Sequence, residues 1–347
     1  MKKRWALSML TLAMAAGMGV LAWGQEETVS NDLFSVAVPE EIAQISDVTA
    51  DSESISFYEK ISHGKYGGFV GSIELYESVR EYGDIPNYRR AGIIRKDDGS
   101  KLDVVLVYPS DVQFDMEDQD SIDHYGQIQD AFREQVVPSL EAVDGTYIPQ
   151  EEVDTTGIYM EILDQMAADL REEKEPAGFE EDGFSYVYGL PVGSEKEPSA
   201  VFGYAFADLN GDGYDEMMIG SIEDGTIYDL YTQLDTEVIH AFCGGERDRL
   251  TLVGHKNDSW REIREEASGG ASNTVINFFN LEPTKGELFR VVSFVYDSQA
   301  DPENPFGVSY SWEDEVETIS EEDWNTRQGN FGETVMPDYH AFEAMSK

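Results

Sequence analysis

Between residues 183 and 296 the chain is built almost entirely of short stretches in which apolar and polar residues alternate: SYVYGLP, AVFGYAFADL, EMMIGSI, TIYDLYTQ, EVIHAF, RLTLVG, NTVINFFNL and LFRVVSFVYD. A period of two sends successive side chains to opposite faces of an extended strand, so each stretch presents one apolar face. Gly, Asp and Asn join them, and short strands at this spacing predict an antiparallel meander.

Residues 32–147 predict a separate α+β unit. LFSVAVP (33–39), SISFYEK (54–60) and GGFVGSIELY (67–76) alternate like strands, and residues 88–109 form a hairpin candidate around Asp97, Asp98 and Gly99. Arg89, Arg90, Arg95, Lys96 and Lys101 on that hairpin are the one basic cluster after residue 24, read as solvated strand faces that answer nearby carboxylates. From Ser121 onward, Tyr125, Ile128, Phe132, Val136, Leu140 and Val143 recur every three or four residues, the stripe of a helix covering the sheet, with Pro138 as its kink. A polar joint over 144–156 leads to a second unit, 155–347. It opens on a helix capped by Thr155 or Thr156, with Ile158, Ile162, Leu163, Met166 and Leu170 on one side, and it carries a short helix after Ser320 near its end. The fold class is therefore α+β: an N-terminal antiparallel sheet with a covering helix, then a β-rich meander with flanking helices.

The first 24 residues have the layout of a secretory signal peptide. Lys2, Lys3 and Arg4 precede an apolar run to Trp23, and Ala22 and Gly24 are the small residues at a cleavage site. An uncleaved anchor is the competing reading of a run this long. The expected location is secreted or cell-surface, with no membrane insertion once the segment is removed. Net charge is −46, from 70 acidic against 24 basic residues, which disfavours nucleic acid and anionic lipid and favours cations. Cys243 is the only cysteine, so no intramolecular disulfide forms; it reads as a small buried apolar residue.

One stretch concentrates its oxygens. In DLNGDGYDE (208–216), Asp208, Asn210, Asp212 and Glu216 occupy positions one, three, five and nine, with Gly211 and Gly213 at four and six. Side chains at alternate positions of a wound loop converge, and the Tyr214 carbonyl at seven can turn to the same centre. Calcium takes six to eight oxygens at about 2.3–2.6 Å, which such a loop offers, and glycine at position six permits the sharp turn. An EF-hand needs an acid at position twelve and a following helix; here position twelve is Ile219 and EMMIGSI is strand-like. The loop and its flanking strands, about twenty residues, resemble the calcium loops of integrin-type FG-GAP and VCBS repeats in β-propeller blades. The whole chain also resembles secreted bacterial proteins of unassigned function that join an α+β domain to one such loop domain. The resemblance implies Ca2+ held by Asp208, Asn210, Asp212, the Tyr214 carbonyl and Glu216 to fix a turn. There is no second copy of the loop, so a single blade-like sheet is expected rather than a propeller.

No catalytic set stands out. His63, His124, His240, His255 and His340 show no metal-ligand spacing, there is no G-x-S-x-G elbow, and SHGKYGG (62–68) lacks the phosphate-loop pattern. Trp260, Trp312 and Trp324 are aromatics able to stack on sugars but expected in cores. The sequence thus points to a non-enzymatic, calcium-stabilised extracellular protein binding an unidentified protein or glycan. The alternative is a carbohydrate-active hydrolase using an unidentified carboxylate pair.

Overall fold

In a computed structural model, the structure describes residues 26–190, 197–254, 262–270, 272–312 and 315–346. The signal segment, His255 and Trp260 lie outside the described residues. The fold is α+β with antiparallel sheets, as the alternation predicts.

The N-terminal part carries two sheets. Strands Glu26–Ser30, Phe34–Pro39 and Glu141–Ala142 form a small one. A six-stranded sheet runs in the order Ser46–Ala50, Ser54–Glu59, Phe69–Tyr76, Lys101–Val107, Tyr88–Arg95 and Thr146–Pro149. Helix Gln119–Ala131 covers it, started by Asp118, whose carboxylate accepts from the amides of Asp120 and Ser121. Tyr125, Ile128 and Phe132 sink into a core with Phe34, Ile55, Phe57, Ile73 and Val104.

The predicted stripe is buried as far as Leu140, but the helix carrying it stops earlier. A wider π turn, Phe132–Val136, and a 3-10 turn, Val137–Ser139, replace its last turns. Pro138 supplies no amide to an i→i−4 ladder, so the chain loosens before it and leaves it at Leu140 in an extended conformation. Val143, expected on the apolar face, is consequently exposed.

The C-terminal part is organised by one 12-stranded sheet, a near-continuous meander in which neighbours in sequence are mostly neighbours in space. Strand Glu216–Ser221 lies deep inside it and every one of its residues is buried. On one face Met217 and Ile219 meet Tyr159, the residue before helix Met160–Arg171, and Leu163, Met166 and Leu170 of that helix. On the other, Met218 joins Ala205, Leu230, Leu250 and Leu252. Further along, Phe278, Phe294 and Val308 pack with Trp324 of helix Glu321–Gly329, which Ser320 caps through the Asp323 amide.

Two local expectations are corrected. SYVYGLP is not a strand: Ser185 accepts from the Val187 amide and starts the 3-10 turn Tyr186–Gly189, which drives the Tyr188 ring into the core. Neither Thr155 nor Thr156 caps the second helix. Asp154 instead accepts from the amides of Thr156 and Gly157 at 3.1 and 2.9 Å, and the Thr155 hydroxyl is taken by Asp215.

The two parts meet through an apolar seam. Val79, Tyr82 and Val105 of the first pack on Leu234 and Ile239 of the second. Beside it, Asp235 accepts from the Ser78 hydroxyl at 2.9 Å and the Val79 amide at 3.2 Å. No helix among the described residues is long and apolar enough to cross a membrane.

Candidate functional site

Strands Phe202–Ala207 and Glu216–Ser221 pair antiparallel, and Ala207 opposite Glu216 is their last pair. The hairpin therefore closes through residues 208–215. Gly211 and Gly213 have φ of 79° and 85°, the left-handed region that favours glycine. Gly213 is held twice over, because a Cβ there would stand 3.0 Å from the Cβ of Arg90.

Side chains of the loop wind its own amides inward. Asp208 accepts from the amides of Gly211 (2.7 Å) and Gly213 (3.1 Å), Asn210 Oδ1 from that of Asp212 (3.0 Å), and Asp212 Oδ1 from that of Tyr214 (2.8 Å). Glu216 Oε2 accepts from the Leu209 amide at 2.7 Å, and its Oε1 from the Thr232 hydroxyl at 2.8 Å and the Asn210 amide group at 3.3 Å. The sequence-predicted residues Asp208, Asn210, Asp212 and Glu216 are thus brought together.

The electrostatics of this arrangement are unfavourable. Asp212 and Glu216 are 0% exposed. Burial, with the Asp208 charge added, pushes the Asp212 carboxyl up to about 7. Glu216 lies well above the usual carboxylate range, first through burial and then through the Asp212 charge, and burial also raises Asp208. Asp212 Oδ2 is buried with no hydrogen-bond partner. A buried, orphaned carboxylate oxygen beside two further carboxylates costs free energy unless a cation or proton answers it. The donor set, carboxylates and an amide oxygen, is that of a hard divalent ion. Asp208, Asp212 and Glu216 are not yet a tight cage, since among the described residues only another group brings three ligand atoms within 4.8 Å of one another. Their oxygens are spread along the amides that they hold.

The outer side of the loop grips the N-terminal sheet. The Gly213 carbonyl accepts from Arg90 Nη1 at 3.1 Å and from the side-chain amide of Gln150. The Arg90 guanidinium lies on the face of the Tyr214 ring, while the Tyr214 hydroxyl donates to Asp103 at 3.2 Å. Arg90 and Asp103 pair at 3.3 Å with both side chains buried. Asp215 takes the Thr155 hydroxyl, and its carbonyl accepts from Tyr159 at 2.9 Å. Arg90 therefore departs from the reading of the basic cluster as solvated. It is an internal counterion, because Asp103 and the loop carbonyl are there to receive it.

No protein family, curated protein or solved structure matches the chain. The resemblance to FG-GAP and VCBS loops accordingly rests on the residues of the loop alone.

Sequence reasoning missed a second grouping. Asp229, His240 and Cys243 bring one carboxylate oxygen, one ring nitrogen and the sulfur within 4.8 Å of one another. Cys243 is exposed rather than buried, since it is the last residue of strand Glu237–Cys243. The residue is exposed but its sulfur is turned toward Asp229, and the desolvation of that sulfur together with the Asp229 charge pushes its thiol up to about 12, which makes the metal-free thiol a poor nucleophile. Trp312 is likewise not in a core: it is 71% exposed and stacks on Tyr310 with centroids 4.8 Å apart.

Proposed function

We propose that this is a secreted or cell-surface, non-enzymatic protein in which the loop 208–216 holds Ca2+ through Asp208, Asn210, Asp212, the Tyr214 carbonyl and Glu216. The observation that carries the reading is the buried, unpartnered Asp212 Oδ2 between two other raised carboxylates. A divalent ion would answer the charge that burial and mutual repulsion oppose. It would also stiffen the hairpin whose outer side clasps Arg90 and Gln150, so the ion's structural effect reaches the seam between the two parts.

The surface of such a protein binds an extracellular protein or glycan. The stacked Tyr310–Trp312 pair supports this, because an exposed flat aromatic face stacks on apolar ring faces of a partner at little ordering cost. The carboxylates of the loop are engaged by backbone amides, which favours an ion-holding role over acid–base chemistry.

Thermal unfolding of the full chain in EDTA and in millimolar Ca2+ tests the reading. An extracellular-type affinity of about 10⁻⁴ to 10⁻³ M predicts roughly 0.4 to 1.4 kcal/mol of added stability at 1 mM Ca2+. Identical melting in both conditions overturns it.

A further inference from the structure

Strand Ile227–Leu234 pairs with strand Glu237–Cys243, and their register shifts between Leu230 and Tyr231. Asp229 stands opposite Cys243 and Leu230 opposite Phe242, but Tyr231 stands opposite His240, so Ala241 is the extra residue of a bulge. In an unbroken strand His240 and Cys243, three apart, would face opposite sides. The bulge turns both to the side of Asp229.

The three groups are held in place from several directions. Asp229 is fully buried, with Oδ1 2.8 Å from His240 Nε2 and Oδ2 accepting from the Ser185 amide at 3.2 Å. The His240 ring lies flat on Tyr231, centroids 4.2 Å apart and planes 10° apart. Ser185 further donates to the carbonyl of Gly244, the residue after Cys243, at 2.6 Å, which fixes the strand end carrying the sulfur. Cys243 opens on a cleft of about 430 Å³ lined by Glu180, Tyr186 and Arg247.

We infer that Asp229, His240 and Cys243 form a binding site for a borderline-soft divalent metal of the zinc class, with a fourth position open to the cleft beside Cys243. One carboxylate oxygen, one imidazole nitrogen and one thiolate are the ligand types that zinc takes, and donors in a tetrahedral site lie roughly 3.3–3.8 Å apart given bonds of about 2.0–2.3 Å. His240 Nε2 and Asp229 Oδ1, now 2.8 Å apart in a hydrogen bond, would part by about 0.5 Å to admit an ion between them, and the sulfur already lies within 4.8 Å of the other two ligand atoms. Binding displaces two protons from the ligand atoms: the Cys243 thiol releases one to water, and the proton that His240 Nε2 donates to Asp229 Oδ1 passes through water to Nδ1, which frees Nε2 for the metal. The Ser185 amide on Asp229 Oδ2 is the outer contact that orients the carboxylate. A plain Asp–His ion pair would need neither the sulfur nor the bulge that brings it round. The site differs in chemistry from the loop 208–216, whose donors are all oxygens.

The test is Co2+ titration of the full chain, reduced and stripped with chelator. The expected result is a visible band of tetrahedral cobalt with a thiolate-to-cobalt charge-transfer band in the near ultraviolet, both lost on adding one equivalent of Zn2+. Cys243→Ser should remove the charge-transfer band, and His240→Gln should weaken Co2+ binding at least about tenfold. Glu321→Gln, an exposed residue that belongs to neither site, should change neither. Circular dichroism of each variant confirms that it is folded. A folded chain that gives no charge-transfer band, or one that persists in Cys243→Ser, overturns the inference.

Discussion

The guanidinium carbon of Arg90 lies 3.7 Å from the centroid of the Tyr214 ring. The same guanidinium donates to the Gly213 carbonyl at 3.1 Å and pairs with Asp103 at 3.3 Å, with nothing of its side chain exposed. A residue of the N-terminal hairpin thus completes a turn in the C-terminal sheet, more than a hundred positions away in sequence. The acidic loop is both the candidate ion site and the point where the two parts clasp.

Arg90→Ala should therefore be costly. It leaves buried Asp103 with Lys101, 3.8 Å away, as its remaining cation, so the loss should approach but not exceed the cost of a buried pair broken from one side, about 3–5 kcal/mol. Arg90→Lys should recover only part of this, since an ammonium cannot both lie flat on Tyr214 and fork to two acceptors. Denaturant unfolding measures both. A loss below about 1 kcal/mol for the alanine variant would show that the clasp is solvated rather than internal.

The two loop glycines should respond unequally. Gly211→Ala meets open space and incurs only the left-handed backbone penalty, about 1–2 kcal/mol. Gly213→Ala adds a Cβ 3.0 Å from Arg90 Cβ and 3.1 Å from its Cδ. Its cost should exceed that of Gly211→Ala by about 1 kcal/mol or more. Equal losses in paired unfolding curves would contradict the close approach of Arg90.

Acid should loosen the N-terminal part through Glu59. Burial pushes the pKa of this fully buried carboxylate up, but the amides of Ile61 and Ser62 and the hydroxyl of Ser121 more than compensate, so its pKa lies below the ordinary glutamate value of 4.5. The folded state then binds this proton less readily than the unfolded chain. The stabilisation is complete above 4.5 and is lost as pH falls through the lower folded value. Glu59→Gln should flatten the part of the stability–pH curve below 4.5. An unchanged slope in that variant would assign the acid sensitivity elsewhere.

Much of this was legible beforehand because it depends on short-range pattern. Strand alternation located Phe34–Pro39, Ser54–Glu59 and Glu216–Ser221, and the spacing of Asp208, Asn210, Asp212 and Glu216 located a turn in which they do meet. The remainder depends on relations that no local pattern encodes. Arg90 reads as a surface cation because Asp103, Gln150 and Gly213 reach it only after the two parts pack. His240 and Cys243 stand three apart, a spacing that shows no metal-ligand pattern, because the bulge that aligns them is set by pairing with residues 229–231. SYVYGLP alternates like a strand, yet a serine hydroxyl in hydrogen-bond range of an amide two residues on turned it into a 3-10 turn.

The measurement closest to the central claim is a calorimetric Ca2+ titration of the full chain beside its Asp212→Asn variant. That substitution removes the buried charge while leaving an oxygen to accept from the Tyr214 amide. The account predicts one bound ion per wild-type chain, at about 10⁻⁴ to 10⁻³ M, and heats at the dilution level in the folded variant. Equal heats and stoichiometry in the two proteins would contradict it.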